Sequence, residues 1–127
     1  EGTQIYGEVY NSVIGSGVTI EEGAIVRDSI IMQNARIGAG AVIDKSIIAE
    51  GTEIGEGAVL GVGDEAPNAL NAKVYAFGLV TIGENSYIPP RVQIGKNTAI
   101  SGVTEPSDYE NGLLPSGGSI IKGGAAR

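Results

Sequence analysis

The sequence lacks the residues that most often perform chemistry, since it has no cysteine, no histidine and no tryptophan among 127 residues. Without cysteine there are no disulfides, which fits a reducing cytoplasm. With histidine missing as well, a zinc site would need carboxylates alone, which is unusual. The commonest general base is also absent. We therefore predict no catalytic, cofactor-binding or metal-ligating residue in this chain.

Basic residues are scarce too. Lysine and arginine number 8 against 15 acidic residues, which gives a net charge of −7. Nucleic acids and anionic membranes are usually bound by basic patches, so we predict neither as a partner. No apolar run is long enough to span a bilayer, and no signal-peptide pattern is present, which favours a cytoplasmic location. The first residue is Glu1 rather than methionine, so we expect a fragment or a processed product.

The sequence does contain a repeat of seventeen residues. Three consecutive stretches, 12–28, 29–45 and 46–62, align without a gap, and aliphatic residues recur at about every sixth place within each. A short period nested in a longer one is typical of a β-helix. We predict an all-β fold, a single-stranded parallel β-helix of hexapeptide repeats with about five coils, over residues 1–102.

Columns of equivalent residues define the interior of the predicted prism. Each large aliphatic residue follows a short side chain two positions earlier, and strand residues two apart share a face. Glycine or asparagine recurs at the corners, where a sharp bend demands positive φ. The large inward residues are Ile14, Ile31 and Ile48; Ile20, Ile37 and Ile54; and Val26, Ile43 and Leu60.

The pattern is interrupted once and then ends in a tail. Residues 61–79 carry little hexad order and are predicted to leave the coil as a loop excursion. The hexads resume with Ile82, Ile88, Ile94 and Ile100. Residues 103–127 form a tail rich in glycine, serine and proline. Within it, Ile120 and Ile121 are predicted to form a strand that covers the open end of the coil, since exposed ends of a repeat array need a cap.

The outward columns are the candidate functional surfaces. One outward column is polar and two are aliphatic, and contiguous exposed apolar surface usually indicates a partner. Burying six such side chains supplies about 9–18 kcal/mol before the cost of association. We predict docking against another domain or subunit, with shielding by long neighbouring side chains or the tail as the alternative. The candidate interface residues are Val13, Ile30 and Ile47 on one side and Ile25, Val42 and Val59 on another.

Charged residues seventeen apart support the same register. Stacking places them on neighbouring rungs about 4.8 Å apart. Each exposed pair contributes only about 0.2–1 kcal/mol. The predicted pairs are Arg27 with Asp44, Asp28 with Lys45, and Arg36 with Glu53. Among the few cations, Arg91 follows Pro89 and Pro90 near the tail and is the candidate contact for an anionic effector.

Three segments of the chain resemble a known family. The C-terminal β-helix of bacterial glucose-1-phosphate adenylyltransferases (ADP-glucose pyrophosphorylases) is similar to Tyr6-Gly-Glu-Val-Tyr-Asn-Ser-Val-Ile14, to Val26-Arg-Asp-Ser-Ile-Ile-Met32 and to Ile88-Pro-Pro-Arg-Val-Gln-Ile-Gly95. The resemblance implies a left-handed coil, an exception to the usual right-handed crossover. It also implies a parent nucleotidyltransferase that uses ATP and Mg²⁺ to convert glucose 1-phosphate to ADP-glucose and pyrophosphate for glycogen synthesis.

The same resemblance implies partners and an allosteric role. The β-helix would pack on its own N-terminal catalytic domain and on other subunits of a homo- or hetero-oligomer, expected to be a tetramer. It would help to carry effector signals. The family's catalytic domain, with its Gly-rich nucleotide loop, has no counterpart in these residues, so we expect the chain alone to be inactive.

Two alternatives stay open from the sequence. The first is the same domain from another sugar-1-phosphate nucleotidyltransferase, such as a guanylyl- or uridylyltransferase. The second is a stand-alone hexapeptide acyltransferase or an inactive relative, with its acyl donor held between the coils of a trimer. The missing histidine argues against the second alternative.

Overall fold

The described chain winds as a three-sided solenoid of six coils. The computed structural model describes residues 2–64, 66–68 and 77–122. Within them the only helix is a short 3₁₀ turn, Pro106–Asp108. The strands are, coil by coil, β1 (Gln4–Ile5), β2 (Glu8–Tyr10), β3 (Val13–Ile14); β4 (Thr19–Ile20), β5 (Ile25–Arg27), β6 (Ile30–Ile31); β7 (Arg36–Ile37), β8 (Val42–Asp44), β9 (Ser46–Ile48); β10 (Glu53–Ile54), β11 (Val59–Val62), β12 (Val80–Ile82); β13 (Tyr87–Ile88), β14 (Gln93–Gly95), β15 (Thr98–Ser101); β16 (Leu113–Leu114) and β17 (Ser119–Ile121).

Each side of the prism is one parallel sheet, because a strand pairs with the strand on the same side of the next coil. Face 1 is the five-stranded sheet β1-β4-β7-β10-β13. Face 2 runs β2-β5-β8-β11-β14-β16 and face 3 runs β3-β6-β9-β12-β15-β17, each with six strands. The predicted all-β parallel β-helix is confirmed, while its left-handed winding stays a prediction.

The predicted interior columns are the core. In coils 2 to 5 the large aliphatic residues of all three columns are at most 1% exposed. The short residues that precede them, such as Ala24, Ala41 and Ala58, are fully buried as well. Small side chains beside large ones let three sheets close around a narrow interior.

The corners use left-handed backbone as predicted. Gly23, Gly40 and Gly57 have φ of 80°, 70° and 70°, a region in which glycine meets no steric cost. Asn34 takes the equivalent role in its own column, with φ 61°. A third corner, between faces 2 and 3, needs a single left-handed residue, and Asp28 and Lys45 each occupy it with φ 49°. This short corner explains why the repeat is seventeen residues rather than eighteen.

The tail supplies a sixth coil, one more than the number predicted. Leu113 and Leu114 pair with β14, and Ser119 to Ile121 pair with β15, so the predicted strand at Ile120 and Ile121 is present. The hexad count missed this coil because its face 1 side has only a single parallel bridge, Val103 to Tyr87, and then continues as a 3₁₀ turn. The boundary at residue 103 stays a prediction, and residues 123–127 of the tail lie outside the described part.

The two ends of the prism differ. Tyr109 is 4% exposed and Leu114 8% exposed, and both join the core at the C-terminal end. There Lys122 pairs with Asp108 at 3.0 Å. The backbone N–H of Glu105 and the Lys122 ammonium lower the pKa of Asp108. At the other end, the inward residue Ile5 is 46% exposed, because no described residue stacks below coil 1.

The chain leaves the coil after Val62, and the bounds of the excursion, residues 61–79, stay a prediction. Strand β11 ends at Val62 and β12 begins at Val80, and Val80 pairs with Ser46 of the coil before it. The predicted excursion at residues 61–79 includes positions 65 and 69–76, which lie outside the described residues. It departs at the corner between faces 2 and 3.

Candidate functional site

The aliphatic column on face 3 faces outward, as predicted. Val13 pairs with Ile30 in register, and Ile30 pairs with Ile47. Val13 is 65% exposed and Ile30 is 41% exposed, whereas Ile47 is half-buried. The column turns polar at coil 4, where Thr81 pairs with Ile47. The apolar stripe is therefore confined to coils 1 to 3, and we call it ladder 3.

A second stripe, ladder 2, runs along face 2. Ile25, Val42 and Val59 stack in register and all three are half-buried. Polar residues bound it, since Glu8 pairs with Ile25 and Gln93 pairs with Val59. Because the neighbouring rungs already cover part of ladder 2, covering both ladders would release less free energy than the about 9–18 kcal/mol expected for six exposed side chains.

Sequence reasoning missed part of the exposed apolar surface near coil 1. Met32 follows β6 and is 41% exposed, and Tyr6 and Tyr10 are 60% and 52% exposed. The Tyr10 hydroxyl donates to a Glu8 carboxylate oxygen, and this hydrogen bond raises the pKa of Tyr10. The sequence carried one signal of this exposed surface, the incomplete first rung, because that rung leaves the inward residue Ile5 without a coil to cover it. These residues add to the exposed apolar surface of ladder 3, and further exposed apolar side chains lie at Phe77 in the excursion and at Val103, Leu113 and Ile121 of coil 6.

Face 1 is polar, and its charges pair differently from the prediction. Arg36 lies in register with Glu53, but its guanidinium contacts Glu21 of the preceding coil, at 2.9 Å. The predicted stacking of Arg36 on Glu53 is confirmed, but no ion pair forms between them, because the flexible guanidinium reaches diagonally to the corner. These three residues and Tyr87 line a shallow cleft of about 400 Å³.

Of the other two predicted pairs, one forms. Arg27 Nε lies 3.9 Å from Asp44 Oδ1. The Asp28 carboxylate instead accepts a hydrogen bond from Asn11 Nδ2, at 2.7 Å. The ion pair with Lys45 is not among the contacts of the described residues. Exposed pairs of this kind contribute little to stability, so the register rests on the core columns.

Arg91 occupies an unusual backbone position. It has φ 61°, and an added Cβ on Gly57 would lie 3.1 Å from Arg91 Cγ, so Arg91 continues the corner column of Gly23, Gly40 and Gly57. This backbone angle is the one that the corners at Asn34, Asp28 and Lys45 also use, so it reflects the turn of the coil. Its side chain is exposed and lines a depression of about 340 Å³ with Glu110 and Asn111. No second cation is among the described residues of that depression, so the structure brings together no cluster of cations there.

Chemistry-bearing clusters are not assembled in the described residues. No group of three or more His, Cys, Asp or Glu that could hold a metal ion occurs in ranges 2–64, 66–68 and 77–122. In the same ranges, no helix has the length and apolar character needed to cross a membrane. Ladder 2 and ladder 3 are thus the main candidate functional surfaces.

The described residues form a parallel β-solenoid with hexapeptide rungs and outward aliphatic ladders, which defines the fold class of this chain. The likeness of the coil to a solved acetyltransferase domain of PglB from Neisseria gonorrhoeae agrees with this class, with a TM-score of 0.59 over 91% of this chain and 49% of that one. At 17% identity, this likeness concerns the fold alone. The family described as GlmU-like, C-terminal hexapeptide matches residues 1–82, and the chain belongs to this family.

Curated relatives extend the match along the chain. It is 67% identical to a glucose-1-phosphate adenylyltransferase of Lachnospira eligens over 98% of this chain. It is 54% identical to the protein of the same name from Thermotoga maritima over 95% of this chain. The chain spans only 29% of the length of either relative.

Proposed function

We propose that this chain is the hexapeptide-repeat part of a glucose-1-phosphate adenylyltransferase. The whole enzyme transfers the adenylyl group of ATP to glucose 1-phosphate, which gives ADP-glucose and pyrophosphate for glycogen synthesis in the cytoplasm. The observation that carries the proposal is the similarity to adenylyltransferases along nearly the whole chain, including the rungs that bear ladder 3. Sharing core hexads would explain the fold, but not this level of identity.

The proposed role of this part is structural, since it holds domains and subunits together. Stacked coils form a stiff body, because each rung is hydrogen-bonded to the next along all three faces. Ladder 3 presents Val13 and Ile30 to water in this chain, and covering them stabilises an assembly through the hydrophobic effect. Its partners are the enzyme's own N-terminal catalytic domain and other subunits, in a tetramer. Effector binding at such a junction would shift the arrangement of the catalytic domains.

The cofactors belong to the rest of the enzyme. ATP and Mg²⁺ are implied for the reaction, and Mg²⁺ takes oxygen ligands from carboxylates and phosphates. The described residues offer no cluster of carboxylates that fits a metal ion. We therefore assign no chemical step to this chain, and the isolated chain is expected to be inactive.

Arg91 is proposed as a contact for an anionic effector. Its exposed guanidinium suits a phosphate group. The Glu110 carboxylate in the same depression opposes such binding. A complete effector site would therefore need further cations from the partner surface that docks there.

The proposal is tested with the intact protein. We expect it to form ADP-glucose from ATP and glucose 1-phosphate, and to use UTP and GTP poorly. A preference for UTP or GTP would assign the chain to another sugar-1-phosphate nucleotidyltransferase. Acetyl transfer from acetyl coenzyme A, without nucleotidyl transfer, would assign it to the acyltransferases.

A variant and its matched control test the proposed role of ladder 3 in assembly. Ile30→Asp places a charge in ladder 3, so we expect sedimentation to show loss of the oligomer. Thr19→Asp makes the same change at an outward strand position of polar face 1 and should leave the oligomer intact. An unchanged oligomer in Ile30→Asp would contradict docking through ladder 3.

A further inference from the structure

The first limb of the excursion returns to the solenoid as a short segment, residues 66–68, which we call the strap. Although the excursion leaves from coil 4, the strap reaches coils 5 and 6. Asn68 is 4% exposed, and its Nδ2 donates to the carbonyl oxygen of Asn97 on coil 5, at 2.8 Å. The same nitrogen lies 3.3 Å from the Gly118 carbonyl oxygen and 3.1 Å from Ser119 Oγ, both on coil 6. One buried side chain therefore joins the strap to two coils.

Asn97 makes the reciprocal contacts. Its Nδ2 donates to the carbonyl oxygen of Ala66 at 3.0 Å, and its Oδ1 accepts from the backbone N–H of Gly78 at 2.8 Å. Ala66 and Gly78 belong to the outgoing and returning limbs of the excursion. The Asn97 side chain, only 6% exposed, thus closes the base of the excursion on coil 5.

Coil 6 is shaped to receive the strap. Gly117 is buried with φ 83°, and the carbonyl oxygen of Pro67 lies where a Cβ on Gly117 would be. Both the backbone angle and the close approach require glycine at this position. The strap and coil 6 are in direct backbone contact as well as hydrogen-bonded.

We propose that the strap and coil 6 form one cooperative unit, so that the C-terminal coil is docked only while the strap is in place. A terminal coil of a solenoid has a neighbour on one side alone, so its contacts are fewer than those of an interior coil. The strap adds a second set of contacts from outside the stack. A ligand or partner that displaces the strap would thereby loosen β16 and the two residues that follow it, Leu113 to Ser116.

The test is hydrogen exchange in the intact protein, read by mass spectrometry. Asn68→Ala removes the donor shared between the two coils. We expect the amides of β16 and β17 to exchange roughly 5–30-fold faster, because one or two kcal/mol changes an opening equilibrium by that factor. Exchange in coils 2 and 3 should be unchanged. Unchanged exchange in coil 6, or an equal rise in every coil, would overturn the proposal.

Three further variants distinguish the proposed coupling from a general loss of folding. Ser119→Ala removes one partner of Asn68 and leaves both carbonyl partners, so we expect a smaller rise with the same distribution. Gln93→Ala removes an exposed amide side chain from β14, and it should change amide exchange in neither the strap nor coil 6. Gly117→Ala pushes on the strap from coil 6, and it should accelerate exchange at Asn68 and Gly78. A response confined to coil 6 in Gly117→Ala would contradict the coupling.

Discussion

Ser29 accepts a hydrogen bond from the backbone N–H of Ser46, 3.0 Å away on the next coil. The Ser29 hydroxyl in turn donates to the Arg27 carbonyl oxygen, at 2.6 Å. Ser12 repeats this role one coil earlier, accepting from the N–H of Ser29 at 3.1 Å. The inward serines are therefore corner braces rather than small fillers of the interior.

This relationship predicts the effect of Ser29→Ala. The variant leaves the N–H of Ser46 buried without its acceptor, which costs about 1–3 kcal/mol. Urea unfolding should show that loss, whereas Ser16→Ala, at an exposed corner position, should change the free energy of unfolding by less than about 0.5 kcal/mol. Equal stability of the two variants would show that the brace is dispensable.

Gly38 and Gly40 lie at the same corner, between faces 1 and 2. Replacing each of them with alanine tests a different cause of instability, steric contact in one case and backbone strain in the other. A Cβ on Gly38 would lie 2.6 Å from the backbone nitrogen of Glu56 on the next coil, although its φ is not positive. Gly40 has φ 70°, and nothing lies within 4 Å of its added Cβ. Gly38→Ala should cost about 1–3 kcal/mol or more, because it separates two rungs.

Gly40→Ala, in contrast, should cost about 1–2 kcal/mol through its left-handed backbone alone. Hydrogen exchange tells the two causes apart. Only Gly38→Ala should accelerate the amides that join coils 3 and 4 on face 1. An identical exchange pattern for both variants would contradict the steric explanation.

Tyr109 predicts a dependence of stability on alkaline pH. Burial raises its pKa from 10.0 to about 12, with the Thr104 hydrogen bond opposing and the Asp108 charge adding to the rise. Because the pKa of Tyr109 is higher in the folded than in the unfolded protein, its contribution to the free energy of unfolding is fully present below pH 10.0 and is lost as the pH rises through about 12. Urea unfolding across this range should show the fall.

Tyr109→Phe is the control, since it keeps the ring in the core but does not ionise. Its free energy of unfolding should fall less steeply over the same range. If the two proteins lose stability in parallel above pH 10.0, another group is responsible.

Much of the fold follows from local regularity. Ile20, Ile37 and Ile54 are inward because a strand alternates its side chains and the repeat keeps them in phase. Gly23, Gly40 and Gly57 mark a corner because few residues tolerate positive φ. The ladders of face 2 and face 3 follow from the same alternation, so the outward direction of their residues was predictable from the sequence, while their role as an interface stays a prediction.

The rest depends on contacts that no short period encodes. Arg36 pairs with Glu21 rather than with Glu53, because a long side chain reaches several carboxylates at a similar cost in free energy. Asn68 and Asn97 are 29 residues apart and meet only because the excursion returns to coil 5. The sixth coil was missed for a related reason, since its 3₁₀ turn breaks the hexads while the pairing of its two strands is preserved.

Thiol labelling tests the central proposal most directly, which is that ladder 3 faces outward and is covered by a partner in the proposed oligomer. The chain has no cysteine, so Ile30→Cys and Thr19→Cys each introduce one thiol whose labelling by a maleimide is located by peptide mass spectrometry. In the intact oligomer, the thiol at position 30 should be protected and the one at position 19 should label quickly, and both should label once the oligomer is dissociated. Equally fast labelling of both positions in the intact oligomer would contradict the account.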